Sequence, residues 1–254
     1  MNNLNSFFEK KILSYIYILF PVALITGPFF PDLFVVIISL YFLLNFKTFK
    51  KNQLFDNKFY WLFIIFYSVL CISSFISEYN VYSIKPSVTY LRFGLFAIGT
   101  YFIISKDYSI ILKLSKVFLL ILSILLIDSV FQFIFGHNLI GFVHEHKYRV
   151  TSFFGEDEVL GSYIARLFPF MISLLIFSQE EFNLKINPFL YIFIFLSASL
   201  ICLLSGERTS LILIILSISL MFFTCHKIRK LIFYVIVAVT VTLTTIILTN
   251  EKIK

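Results

Sequence analysis

Five arginines and a small set of carboxylates carry the chemistry that this sequence could perform. One cluster runs Arg149-Val-Thr-Ser-Phe-Phe-Gly-Glu156-Asp157-Glu158-Val-Leu-Gly-Ser-Tyr-Ile-Ala-Arg166-Leu-Phe-Pro169, and a shorter one runs Ser205-Gly-Glu207-Arg208-Thr-Ser210. A guanidinium is a rigid fork of donors that stays charged when buried and suits carboxylate and phosphate oxygens. Arg149, Arg166 and Arg208 could therefore hold an oxyanion, and Arg92 is a fourth candidate. Glu207 and the loop carboxylates Glu156, Asp157 and Glu158 stand among these arginines.

Other chemistries find no pattern. The sequence has no Walker loop, no Gly-x-Ser-x-Gly and no Cys-x-x-Cys, so no cofactor is expected. Cys71, Cys202 and Cys225 are scattered through apolar stretches at no metal or disulfide spacing. His137, His144 and His146 share the segment 136–158 with Glu145, Glu156, Asp157 and Glu158. His144 and His146 are only two apart, with no partner pair at helical spacing, so no metal site is expected.

The elements that must position these residues are almost pure hydrocarbon. Hydrophobic residues make up 59% of the 254 and charged residues 14%, against about a quarter charged in a soluble domain. The chain therefore reads as an integral membrane protein, a single all-α membrane domain over 1–254. A span needs about 20 apolar residues. Nine are expected, near 12–28, 29–46, 59–77, 88–105, 114–135, 159–178, 188–204, 209–225 and 231–249, with 136–158 as the main outer loop. The first two are split by Pro28-Phe-Phe-Pro31-Asp32, where proline breaks the helix. The first span has no small-residue cleavage site and reads as an anchor.

Cations in the connecting loops set the direction. Lys10, Lys11, Lys47, Lys50, Lys51, Lys58, Lys106, Lys113, Lys116, Lys185, Lys227, Arg229 and Lys230 fall on one side. That side is expected to be the cytoplasm, with the amino terminus inside and the carboxyl terminus outside. The net charge of +7 is thus a topology signal, not a nucleic-acid surface. Of the five arginines, only Arg229 falls on the cytoplasmic side, which favours an anion site at the outer face.

Arg92, Asp128 and Arg166 all fall within spans, roughly 6–10 Å below the outer interface at 1.5 Å per residue. Ionisable groups inside a span read as functional by default, and three at one depth suggest a shared cavity. The plainer alternatives are that Asp128 neutralises Arg92 or Arg166 between helices, and that Arg166 snorkels. Asp128 and Gln132 share a helix face, as do Glu158, Ser162 and Arg166. Glu156, Asp157 and Glu158 are expected in the first turn of span six, where the helix dipole favours negative charge.

Asp128-x-x-x-Gln132-x-x-x-Gly136-x-x-x-x-Gly141, then Arg149-x-Thr-x-x-Phe-Gly155, then Gly161-x-Tyr163 and a helix reaching Pro169 resemble the central region of the O-antigen ligase and O-antigen polymerase superfamily. The Ser205-Gly-Glu-Arg208-Thr-Ser210 turn resembles that family's Ser-Arg-small motif. Residue by residue the likeness covers about 128–169 and 205–210. It implies metal-independent glycosyl transfer at the periplasmic face of a bacterial inner membrane, in surface polysaccharide or lipopolysaccharide biosynthesis. The implied donor is a glycan on undecaprenyl diphosphate. The acceptor is a sugar hydroxyl, on lipid A core for a ligase or on another repeat unit for a polymerase. Arg149, Arg166, Arg208 and Arg92 would hold the diphosphate, Glu207 would act as base, and Asp128, Gln132 and Glu158 would support them. Family members continue into a large outer loop, which in ligases holds a general-base histidine. None of His137, His144, His146 or His226 matches that position, so a truncated member or a separate second half is expected. A chain-length regulator is a further implied partner. A polytopic transporter and a non-catalytic envelope partner are the alternatives. The scarcity of glycine, 8 residues, and the lack of a repeat argue against the transporter.

Overall fold

A computed structural model describes residues 2–46, 58–143, 149–185 and 187–224, together with 229–230, 232–234, 236–237 and 240–241. Most of the expected ninth span, along with His144, His146, Lys147, Cys225 and His226, lies outside the described residues. The helices are α1 (Asn2–Ala23), α2 (Phe29–Leu44), α3 (Lys58–Ile76), α4 (Asn80–Thr89), α5 (Leu91–Lys106), α6 (Ser109–Phe135), α7 (Leu160–Glu181), α8 (Pro188–Leu204) and α9 (Arg208–Thr224). There is no strand among the described residues.

Four stretches are long and apolar enough to cross a membrane: α3, α4 with α5 as one run of 27 residues, α6 and α7. The helices α8 and α9 hold 17 residues each, about 26 Å at 1.5 Å per residue and at the short end of a spanning length.

The chain divides into two compact units, residues 1–110 and 111–254. In the first, α2 packs along α5, with α1 against α2 and the α3–α4 pair against α5. Leu13, Tyr17, Ile38 and Ile110 form its core. Small residues let the helices close up, as in membrane packing generally. A Cβ on Gly99 would meet Ile38 at 3.2 Å, and one on Gly94 would overlap the Phe63 ring. The Tyr17 hydroxyl donates to Thr100 Oγ1 at 2.9 Å, which satisfies a polar tip inside the apolar core.

In the second unit α7, α8 and α9 pack on one another. Phe168 meets Phe195 edge-on at 4.9 Å, and Phe170 reaches Phe118 of α6 at 5.7 Å. The start of α8 is set by Asn187, whose side chain accepts from Phe189 N–H at 3.1 Å with Pro188 at the first helical position. The end of α9 is closed by Arg229, whose Nε and Nη2 donate to the carbonyls of Phe222 and Phe223 at 3.0 and 3.2 Å. A cation belongs at that end of a helix dipole. Arg229 is the one arginine that the loop reading placed among lysines, and a bidentate cap is work that lysine does less well.

The buried face of α6 repeats every three or four residues through Leu114, Phe118, Ile121, Leu125, Asp128 and Gln132. The opposite face exposes Leu120, Ile124, Ile127 and Ile134, so the helix is apolar all round. In its last two turns the buried face turns polar without becoming exposed, and the candidate site begins there.

Candidate functional site

Asp128 is fully buried, and its partners come from the segment after its own helix. Oδ1 accepts from Leu139 N–H at 2.8 Å and Oδ2 accepts from the Ser152 hydroxyl at 2.5 Å. Gln132, one turn on, accepts through Oε1 from Thr151 N–H at 3.1 Å and Ser152 N–H at 2.7 Å. Asn138 closes the arrangement: Nδ2 donates to Ser152 C=O at 3.0 Å, and Oδ1 accepts from Ile140 and Phe142 N–H at 3.1 and 2.8 Å. That second pair of bonds is an Asx turn, which Asn adopts because its short side chain mimics a backbone carbonyl. A loop that enters an apolar unit must satisfy its backbone groups somewhere, and here α6 supplies the acceptors.

The segment then meets the 205–210 turn. Val150 N–H donates to Leu204 C=O at 3.1 Å. The aliphatic stem of Arg149 lies against Gly206, where a Cβ would sit 3.2 Å from Arg149 Cγ. Gly206 also takes φ +70°, a conformation that favours glycine. Arg149 pairs with Glu158 through Nη1 and Oε2.

Farther along, Gly161 N–H donates to Glu207 Oε1 at 2.8 Å, and the Cys202 thiol reaches Gly161 C=O at 3.4 Å. A Cβ on Gly161 would collide with the hydroxyls of Ser205 and Ser210 and touch Glu207 Oε1 at 3.0 Å. Glycine is therefore required where α7 starts beneath the turn. The serines have structural work there: Ser205 Oγ donates to Cys202 C=O at 2.9 Å and Ser210 Oγ to Glu207 C=O at 2.7 Å.

Several expectations need correction. The acidic triplet is not in the first turn of the helix, because α7 begins at Leu160 and has no acid there. The orphan N–H of a helix start needs an acceptor, and Glu207 provides it from 46 residues away. Glu158 precedes the helix, so it shares no helix face with Ser162 and Arg166, and it binds Arg149 instead. Glu207 lies next to Arg208 in sequence, and its Oε1 accepts from Gly161 N–H.

Arg92 binds Asp32 with both arms of its fork, at 2.8 and 2.7 Å, within the first unit. Arg166 is on the exposed side of α7, roughly 140° around from the buried Gly161 face at 100° per residue. Arg208, also exposed, opens α9 two residues after Gly206. The structure thus gathers Arg149, Glu158, Glu207 and Arg208 onto one end of the second unit, with Arg166 on another side of α7.

Asn138 and Ser152 were missed by the sequence reading. An Asn between Gly136 and Gly141 is a turn signal that could have pointed to the first. No family model matches this chain, and neither does any curated protein or solved structure.

Proposed function

We propose that this chain is a membrane glycosyltransferase of the O-antigen ligase and polymerase type. Its substrate would be a glycan on a polyprenyl diphosphate. One observation carries the proposal: two polar segments more than 40 residues apart, 149–161 and 204–208, close on each other through Val150–Leu204 and Gly161–Glu207. An arginine stands at each side of that junction. Arg208 lies in the first turn of α9, where a cation is opposed by the helix dipole. Helix stability does not account for it, and an anionic ligand does.

In this reading Arg149 and Arg208 hold the diphosphate as it leaves. Fixed donors aimed at developing charge are the largest single source of rate in such reactions. Glu207 accepts the proton of the attacking sugar hydroxyl. Its Oε1 is anchored by Gly161 N–H, so Oε2 is the atom that takes the proton. Arg92 drops out of the set because its fork is filled by Asp32.

The nine-span topology, with the site at the periplasmic face of the inner membrane, belongs to the same proposal. Its test is labelling from outside the cell. Ile140→Cys is expected to react and Asp107→Cys to stay protected; the reverse pattern overturns the topology. The activity test is transfer from undecaprenyl-diphosphate glycan in reconstituted vesicles. Arg208→Lys is expected to lower transfer roughly 100-fold at unchanged expression, and wild-type rates in that variant would remove the diphosphate role.

A further inference from the structure

Ser152 is fully buried and adopts φ +53°, a left-handed conformation that residues with a Cβ rarely take. Such a backbone persists only where its surroundings over-determine it. Here every polar group of the residue is held. Its N–H goes to Gln132, its hydroxyl to Asp128, and its C=O receives Asn138. Asp128 also binds Leu139 N–H, which fixes the other strand of the loop to the same carboxylate. The link from this point back to Arg149 is two residues long. Thr151 and Val150 are both buried, and Val150 N–H is tied to Leu204.

We propose that Ser152 is a positioning residue for Arg149. The cradle of Asp128, Gln132 and Asn138 locks the chain at Ser152, and two buried residues carry that constraint to the guanidinium beside Gly206. Within the cradle Asp128 acts as a double hydrogen-bond acceptor, not as a counter-ion or a proton carrier. The functional consequence rests on the anion-binding reading of Arg149; the positioning itself does not.

The chemistry of the cradle gives a conservative rescue. Asn at position 128 keeps an oxygen for Leu139 N–H and turns an NH2 toward Ser152 Oγ, which can accept. Ala at 128 removes both contacts. Ala at 152 removes the hydroxyl and keeps the strained φ.

Trypsin reads the result without any activity. The Arg149–Val150 bond follows an exposed arginine and is protected by the Val150–Leu204 hydrogen bond. The full chain in nanodiscs is digested briefly and cut sites are counted by mass spectrometry, with Lys185, in the α7–α8 connection, as the internal control. Loss of a buried hydrogen bond shifts a local opening equilibrium by about tenfold or more. Asp128→Ala and Ser152→Ala are expected to speed cleavage after Arg149 by that factor, with cleavage after Lys185 unchanged. Asp128→Asn is expected to stay within about twofold of the parent, as a preserved hydrogen-bond pattern implies. Protection of Ser152→Ala at the parent level overturns the proposal. So does cleavage of Asp128→Asn as fast as Asp128→Ala, because charge would then be what holds the loop.

Calorimetric binding of inorganic pyrophosphate separates the two ideas. Affinity weakened in Ser152→Ala and kept in Asp128→Asn supports both. Equal pyrophosphate binding in the parent and Arg149→Lys removes the anion reading, while the cleavage pattern still decides the positioning.

Discussion

Arg92 and Arg149 are the same residue used in opposite ways. In the first unit, Arg92 places two nitrogens on the two oxygens of Asp32, and its guanidinium lies 5.1 Å from the centre of the Phe93 ring. The pair staples α5 to the first turn of α2, where an acid suits the helix dipole. In the second unit, Arg149 meets Glu158 through Nη1 and Oε2, and both belong to irregular segments. A fork matched arm for arm is committed to holding two helices together. Arg149 stands instead in an irregular segment against a glycine turn, and there the proposed function gives it a ligand to hold.

The largest expected effect compares the two directly. Replacing one preorganised donor lowers a transfer rate roughly 100-fold. Arg149→Lys and Arg208→Lys should show that loss in vesicle transfer assays, while Arg92→Lys should stay within about threefold, since its role is structural. Equal losses in all three would erase the distinction.

Next comes the junction itself. Gly161→Ala forces a methyl against Ser205, Ser210 and Glu207, and overpacking of this kind costs about 1–3 kcal/mol. Thermal unfolding in detergent should register it, and an unchanged midpoint would mean that the two segments do not meet.

Asp32→Asn should have a smaller effect. A half-exposed pair is worth about 1 kcal/mol at best when bidentate, and the loss should appear as faster proteolysis within residues 1–110. The least effect on stability belongs to Glu158→Gln, about 0.5 kcal/mol or less because its pair with Arg149 is partly exposed. The same change should tighten pyrophosphate binding by roughly threefold, because a competing carboxylate is gone. Weaker binding would make Glu158 part of the ligand site.

The helices were legible because long apolar runs admit few other structures. Asp128 and Gln132 were also legible as a pair, since their spacing places them on one face of α6. What they bind was not. Their partners are mostly backbone N–H groups of Leu139, Thr151 and Ser152, which every residue carries, so residue type gives no signal. Nor does a serine announce a positive φ. The Asp32–Arg92 and Gly161–Glu207 contacts span 60 and 46 residues, and only the folded packing decides them. The misreading of Glu156–Glu158 came from placing the start of α7 early. Local dipole logic then supplied an acid that the fold takes from a distant turn.

Within the first unit, most side chains of α3 are exposed. Only 6% of its most apolar window is buried, and Trp61, Leu62, Ile65, Val69, Ile72 and Phe75 all point outward. In a bilayer its neighbours are acyl chains, so the membrane supplies the contacts that a core would otherwise give. Nineteen residues make about 28 Å of helix, close to the thickness of the hydrocarbon layer. Lipid chain length thereby becomes a structural parameter for the α3–α4 pair: its tilt follows the bilayer, while the tightly interlocked α7–α9 layer keeps its own geometry.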